Sequence, residues 1–359
     1  MLNTSAATVP GRTARTQSLG STLGQVGERF GVPVLLLLLI ILFLLAPATS
    51  GQFGTGANVQ VILANQSVTG LIALGMVVPM VAGYFDVSTA AIAGISNVMM
   101  ASLVGTHGQP IVVGVIASVV AGCVAGAFNG ILIGILRLNP FITTLGTYIV
   151  ISGLLDLYTQ GKEISGLPLA LGAWTLDKWL GIETPFWLLV LVAVLVWYMH
   201  RQTPFGRKLT AIGSNERAAR LTGIRVDRSI FIAYVLSGLL AGVGGVLLTA
   251  QSGDADSTTA ISYLFPALAA VFLGQTAITP GRYNVWGAFF GLFLVAVAVD
   301  GFTLMGAASW ITQVFNGGAL LLAVTVSSQM TRARERRARA RLGSEAQEPT
   351  DTAKLTRSA

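Results

Sequence analysis

The chain has 359 residues, of which 53% are hydrophobic and 10% charged. Soluble domains carry about 25% charged residues, so this balance excludes an ordinary water-soluble protein and points to an integral membrane protein. The net charge of +7 does not indicate nucleic-acid binding, because the basic residues gather at the edges of apolar runs, where orientation and lipid headgroups account for them.

In chain order, residues 1–31 are rich in Ser, Thr and Gly and read as a disordered tail. A membrane helix needs about 20 mostly apolar residues. Ten candidates follow: Val32–Ala48, Val59–Ala82, Val87–Val104, Ile111–Leu136, Phe141–Tyr158, Pro185–Met199, Ser229–Ala250, Ile261–Leu273, Val285–Gly306 and Trp310–Ser327. The first lies too far from the start, and is too long, to be a signal peptide. The eighth is short and contains Pro266, which predicts a broken span. Residues 328–359 form a basic tail containing "RARERRARARL", read as a topology anchor.

With the N-terminus inside and ten crossings, all but Lys162 and Lys178 of the 22 Lys and Arg fall on the inner side. That obeys the positive-inside rule and predicts two cytoplasmic termini, with residues 200–228 as a cytoplasmic loop. A nine-span arrangement would put the basic tail outside.

Titratable side chains are nearly absent from the spans. Asp156 and Asp300 lie towards outer ends, and Asp86 in "GYFDVSTAAIAG" precedes an apolar helix that it is expected to cap. Ion-coupled carriers use intramembrane carboxylates or histidines, and membrane enzymes need an acid/base or metal cluster. Neither pattern is present, and His107 and His200 fall at opposite faces. The single cysteine, Cys123, is read as a small core residue. These features favour a neutral cargo. The polar side chains available to line its path are Asn65, Gln66, Asn97, Asn129, Thr143, Thr144 and Thr147, with Asp86 and Asp300 as the acidic candidates. Some must serve helix-to-helix hydrogen bonds instead.

The fourth span carries Gly122, Gly126, Gly130 and Gly134 at four-residue spacing, which gives one helix face on which another backbone can approach closely. Gly238 and Gly242 repeat the device. "RLNPFITTLGTY" and "FLGQTAITPGRYNVWG" both combine Pro and Gly before a new span, suggesting corresponding positions in two halves of the chain.

The longest polar stretch within the spans is "GRKLTAIGSNERAARLTGI", Gly206–Ile224. Ser214 and Asn215 are N-cap residues, Glu216 sits in the first turn and Gly223 can end a helix in the left-handed conformation. The helix so delimited has about two turns and is marginal alone in water. Ala218, Ala219 and Leu221 supply an apolar patch for docking.

The segment "FGRKLTAIGSNERAARLTGIRVDRSIFIAYVLSGLLAGVGG" resembles the permease subunits of ABC importers for ribose, xylose, arabinose and similar monosaccharides. "FDVSTAAIAG", "NPFITTLGT" and "FLGQTAITPGRYNVWG" extend the resemblance from about Val32 to Ser327. Val87, Thr89, Ala90, Gln275, Pro280 and Asp300 depart from the common pattern. The resemblance implies an all-α, polytopic fold of the type II importer kind and a permease homodimer in the cytoplasmic membrane. It also implies a cytoplasmic ABC ATPase and an extracytoplasmic sugar-binding protein as partners. The loop after the sixth span becomes the coupling element, with Gly213, Asn215, Glu216, Ala218, Ala219 and Gly223 at its centre. The chain has no G-x-x-x-x-G-K-[ST] phosphate loop, so it binds no cofactor by that route and ATP hydrolysis falls to the partner. Branched-chain amino acid or nucleoside permeases are the near alternatives, an ion-coupled secondary transporter the distant one.

Overall fold

Continuous apolar runs of this length satisfy their backbone amides within the segment itself by forming helices. A computed structural model describes residues 19–308, 310–325 and 329, with side chains from residue 29 onward. The helices are α1 (Leu19–Leu45), α2 (Gly56–Met80), α3 (Thr89–Ala101), α4 (Ile111–Gly130), α5 (Pro140–Thr159), α6 (Leu169–Leu176) and α7 (Thr184–Gln202). They continue as α8 (Pro204–Ser214), α9 (Glu216–Leu221), α10 (Val226–Ser252), α11 (Thr259–Ser262), α12 (Leu264–Gln275) and α13 (Val285–Leu304). A last apolar helix, α14, covers Trp310–Thr325. Helices α3 and α4 each run on through one π-helical turn, Ser102–Thr106 and Ile131–Ile135.

Seven helical segments are long and apolar enough to cross a membrane, and shorter apolar helices, Arg29–Leu45, Thr259–Gln275 and Trp310–Thr325, occupy the other three expected places. The expected break in the eighth is at Tyr263, between α11 and α12. Pro266 then falls in the first turn of α12, where a missing N–H breaks no helical bond. Helix α1 begins at Leu19, so residues 19–31 continue the first span as helix, in place of the irregular segment expected there; residues 1–18 and most of the basic tail lie outside the described residues. Pro33 inside α1 leaves the Arg29 carbonyl without its helical donor, and the Ile278 amide fills the vacancy at 2.8 Å.

Helix α10 is the central element, buried along most of its length against α2, α3 and α4. The glycine face of α4 lies on it. A Cβ added at Gly126 would stand 2.3 Å from the Tyr234 carbonyl oxygen, and one at Gly122 2.5 Å from that of Gly238. The backbones therefore touch, as the spacing predicts. Opposite this seam, α4 exposes Val112, Ile116, Val120, Val124 and Phe128, and α5 exposes Ile142, Ile149, Val150, Leu154 and Leu157. Apolar faces this extensive suit a lipid solvent. The two spans that follow the Pro/Gly loops share one start device: Asn139 Oδ1 accepts from the Ile142 amide, and Asn284 Oδ1 from that of Gly287.

At the end where α5 finishes and α7 begins, Lys178–Trp179 pairs antiparallel with Ile182–Glu183. The turn between them holds Leu180 and Gly181 both at positive φ, the arrangement of a tight hairpin turn.

Candidate functional site

Three polar regions stand out, one at each end of the helices and one between them. The first is a cavity of about 990 Å³ bounded by the N-terminal halves of α2 and α14, the start of α12 and the end of α13. Asn65, Gln66 and Asp300 from the expected set line it, together with Thr312, Gln313 and Asn316, which sequence reasoning missed. The signal was present: Gln313 and Asn316 are three apart in "ITQVFNGG" and so share a helix face. Asp300 is held by Asn58, whose amide donates to Oδ2 at 2.8 Å. Asn316 is 7% exposed, yet its Oδ1 has no hydrogen-bond partner among the described residues. No Lys or Arg is among the described lining residues.

The second region gathers most of the other expected path residues into one buried network. Asp86 is 1% exposed. Its Oδ1 accepts from the Ser88 amide at 3.0 Å and hydroxyl at 2.6 Å, and its Oδ2 from the Ser237 hydroxyl at 2.7 Å. Asn129 donates to Ser88 Oγ at 2.7 Å and accepts from the Thr147 hydroxyl at 2.7 Å, while Thr144 Oγ1 accepts from the Val87 amide. Asp86 thus ties α3, α4, α5 and α10 together through side chains. Its expected capping of α3 is corrected: Ser88 is the N-cap, and Asp86, two residues earlier, bonds Ser88 itself. Asn97 lies elsewhere, bonded to Thr249 on α10 at 2.9 Å. Thr143 is half-buried, and its carbonyl accepts from Thr147.

The third region is the polar loop. It forms two helices where one is expected. Thr203 caps α8 by accepting from the Gly206 amide, and Asn215 both ends α8 and caps α9, accepting from the Ala218 amide at 3.0 Å. Ser214 is the last residue of α8, so the cap role falls to Asn215 alone. Gly223 is at φ +83°, as expected of a helix-ending glycine. The apolar patch divides. Ala219 is 4% exposed and faces the body of the protein, whereas Leu221 is 89% exposed and Ala218 is open. A β-carbon at Gly213 would stand 2.2 Å from the Val81 carbonyl oxygen, so this glycine seats α8 on the end of α2.

A polar contact joins this loop to the segment that carries Asp86. The Tyr84 hydroxyl donates to Glu216 Oε2 at 3.1 Å. Burial, and after it the neighbouring Glu216 charge, push the Tyr84 phenol up to about 12, so it keeps the proton it donates. Arg220 bonds both Glu216 Oε1 at 2.9 Å and Asp227 Oδ1 at 2.7 Å, and Arg137 bonds the other Asp227 oxygen at 2.9 Å. Helix α9 is therefore fastened to the start of α10, where Asp227 also holds the end of the fourth span, and, through Tyr84, to the short loop that carries Asp86. Among the described residues, no group of three or more His, Cys, Asp or Glu could hold a metal ion.

Residues 58–324 match the family model described as "Branched-chain amino acid transport system / permease component". The chain is 36% identical over 310 residues to the ribose import permease protein of Bacillus subtilis (strain 168), covering 86% of this chain and 92% of that protein. It is 30% identical over 303 residues to the L-arabinose transport system permease protein of Escherichia coli (strain K12), covering 84% and 91%. The autoinducer 2 import system permease protein of Photorhabdus laumondii is 30% identical over 291 residues, covering 81% and 87%. No solved structure matches. The apolar helices, the lipid-suited faces and these similarities agree with the motifs of the monosaccharide importer permeases: the chain belongs to the family of multi-pass membrane permease components of import systems described by that model.

Proposed function

We propose that this chain is the membrane subunit of an ATP-driven importer for a neutral monosaccharide. Two copies form the path, a cytoplasmic ABC ATPase supplies the work, and an extracytoplasmic binding protein delivers the sugar. The lining of the large cavity carries the reading. It offers amides and hydroxyls, one carboxylate already held by Asn58, and no Lys or Arg among its described residues. An amino acid would bring a carboxylate that no Lys or Arg among the described lining residues meets, so this lining favours a sugar over the branched-chain amino acids of the family's description.

On this reading both termini and α8–α9 face the cytoplasm and the large cavity faces the outside, as the distribution of Lys and Arg favours. Helix α9 is the coupling element. Ala218 and Leu221 face the ATPase, Asn215 and Gly223 define the ends of the helix, and Ala219, Gly213 and Glu216 hold it to the membrane domain. Movement of α9 passes through Glu216 and Tyr84 to the loop around Asp86, and through Arg220 and Asp227 to α10. Among the expected path residues, Asn65, Gln66 and Asp300 face the solute. Asp86, Asn97, Asn129, Thr143, Thr144 and Thr147 act on the path indirectly, by fixing the helices around it. Lipid contacts the exposed faces of α4 and α5.

The reading is tested by reconstituting the permease in proteoliposomes with the ATPase and binding protein that co-purify with it. Uptake of labelled D-ribose, L-arabinose or D-xylose is expected to require ATP and to be indifferent to ion gradients. Uptake that persists without ATP and collapses with the gradient overturns it.

A further inference from the structure

Four amide side chains converge on the large cavity: Asn65 and Gln66 from α2, Gln313 and Asn316 from α14. Asn65 lies roughly 14 Å along α2 from its start. None of the four makes a side-chain hydrogen bond that satisfies its carbonyl oxygen among the described residues; for Asn316 this oxygen is also fully buried. Asn316 Oδ1 is a buried orphan, unfavourable by about 1–3 kcal/mol, while Asn65 and Gln313 are exposed and Gln66 half-buried, so the cavity offers amide donors and acceptors that a solute can engage. Each amide presents a donor and an acceptor side by side, which matches a pair of neighbouring hydroxyls. The two amides of α14, three residues apart, share one helix face.

We propose that these four amides form a hydroxyl-reading station within the permease, which holds a neutral polyol during its passage and discriminates among polyols by their hydroxyl pattern. This rests on the importer reading above and goes beyond it: selection is made twice, once by the external binding protein and again inside the membrane. Asp300, with Oδ2 occupied by Asn58, has its other oxygen available to accept from a hydroxyl at the rim.

The test uses the complete reconstituted importer. Maximal uptake is measured at saturating concentrations of the best transported of D-ribose, L-arabinose and D-xylose, and of its single-deoxy analogues, so that the binding protein is loaded in every case. The wild type is expected to move the parent sugar faster than at least one deoxy analogue. Asn316→Leu and Gln313→Leu are expected to slow the parent about tenfold and to bring that ratio close to one, while stimulation of ATP hydrolysis by the loaded binding protein is retained. Asn316→Asp, which keeps an acceptor oxygen, is expected to retain part of the preference. Gln313 is exposed, so Gln313→Leu reads the station even if Asn316→Leu does not fold. An unchanged parent-to-deoxy ratio in Gln313→Leu overturns the station and leaves the importer reading intact. So does a loss of permease dimer in place of a change in ratio, which would show that the amides pair between copies. Failure of the wild type to import any of the three sugars instead defeats the importer reading, and the station with it.

Discussion

The Ser237 hydroxyl on α10 donates to Asp86 Oδ2 at 2.7 Å, joining the most buried carboxylate among the described residues to the central helix. No cation approaches Asp86 among the described residues; hydrogen bonds alone hold it. Ser237→Ala removes a donor and leaves the carboxylate oxygen with no replacement from water. The expected effect is a loss of about 1–3 kcal/mol, seen as a lower unfolding midpoint of the purified permease in nanodiscs. A midpoint equal to that of the wild type would mean that Asp86 is satisfied by some other donor.

The contact between α4 and α10 makes a second, sharper prediction. At Gly126 the space for a β-carbon is already filled by the Tyr234 carbonyl, a backbone atom that cannot rotate away. Gly126→Val should force the helices apart and abolish folded, monodisperse protein. Gly146 on α5 has nothing within 4 Å of its β-carbon position, so Gly146→Ala should be tolerated. Size-exclusion profiles of the two variants provide the comparison, and equal behaviour would contradict the described seam.

These two cases show what the sequence makes legible. Gly122, Gly126, Gly130 and Gly134 repeat at an interval that only a helix face explains, so their packing role follows from spacing. Gly223 and Asn215 likewise announce their backbone roles, because few residues serve at those positions. Asn129, Thr144 and Thr147 carry no such mark. A polar side chain in an apolar span has the same appearance whether it faces a path or a neighbouring helix, and only the fold brings Asn129 to Ser88 and Thr147. Asp86 misled for the same reason: a carboxylate before a helix suggests a cap, while one of its oxygens bonds Ser88 at the N-cap itself and the other Ser237, 151 residues away.

Helix α9 separates a buried side from an exposed one within a few residues, and the proposed docking surface is the exposed side. Ala219 points inward, so Ala219→Arg would bury a charge and report on folding rather than on coupling. Leu221 and Ala218 point outward, and Leu221→Glu or Ala218→Arg should leave the permease folded and membrane-inserted. Either variant is expected to reduce ATP-driven uptake at least tenfold and to weaken co-purification of the ATPase. Normal uptake by both would remove α9 from the docking surface.

The orientation can be tested independently of transport. In a Cys123→Ala background, a cysteine placed at Leu169, 93% exposed in the segment between α5 and α7, should react with a membrane-impermeant maleimide on intact cells. A cysteine at Ser214, exposed at the end of α8, should react only after the membrane is permeabilised. The charge distribution demands this order, since the loop around Ser214 carries Arg201, Arg207, Lys208, Arg217, Arg220, Arg225 and Arg228, whereas the segment around Leu169 carries only Lys162 and Lys178. The reverse pattern of labelling would place α9 outside, where no ATPase can reach it, and would overturn the coupling assignment together with the orientation.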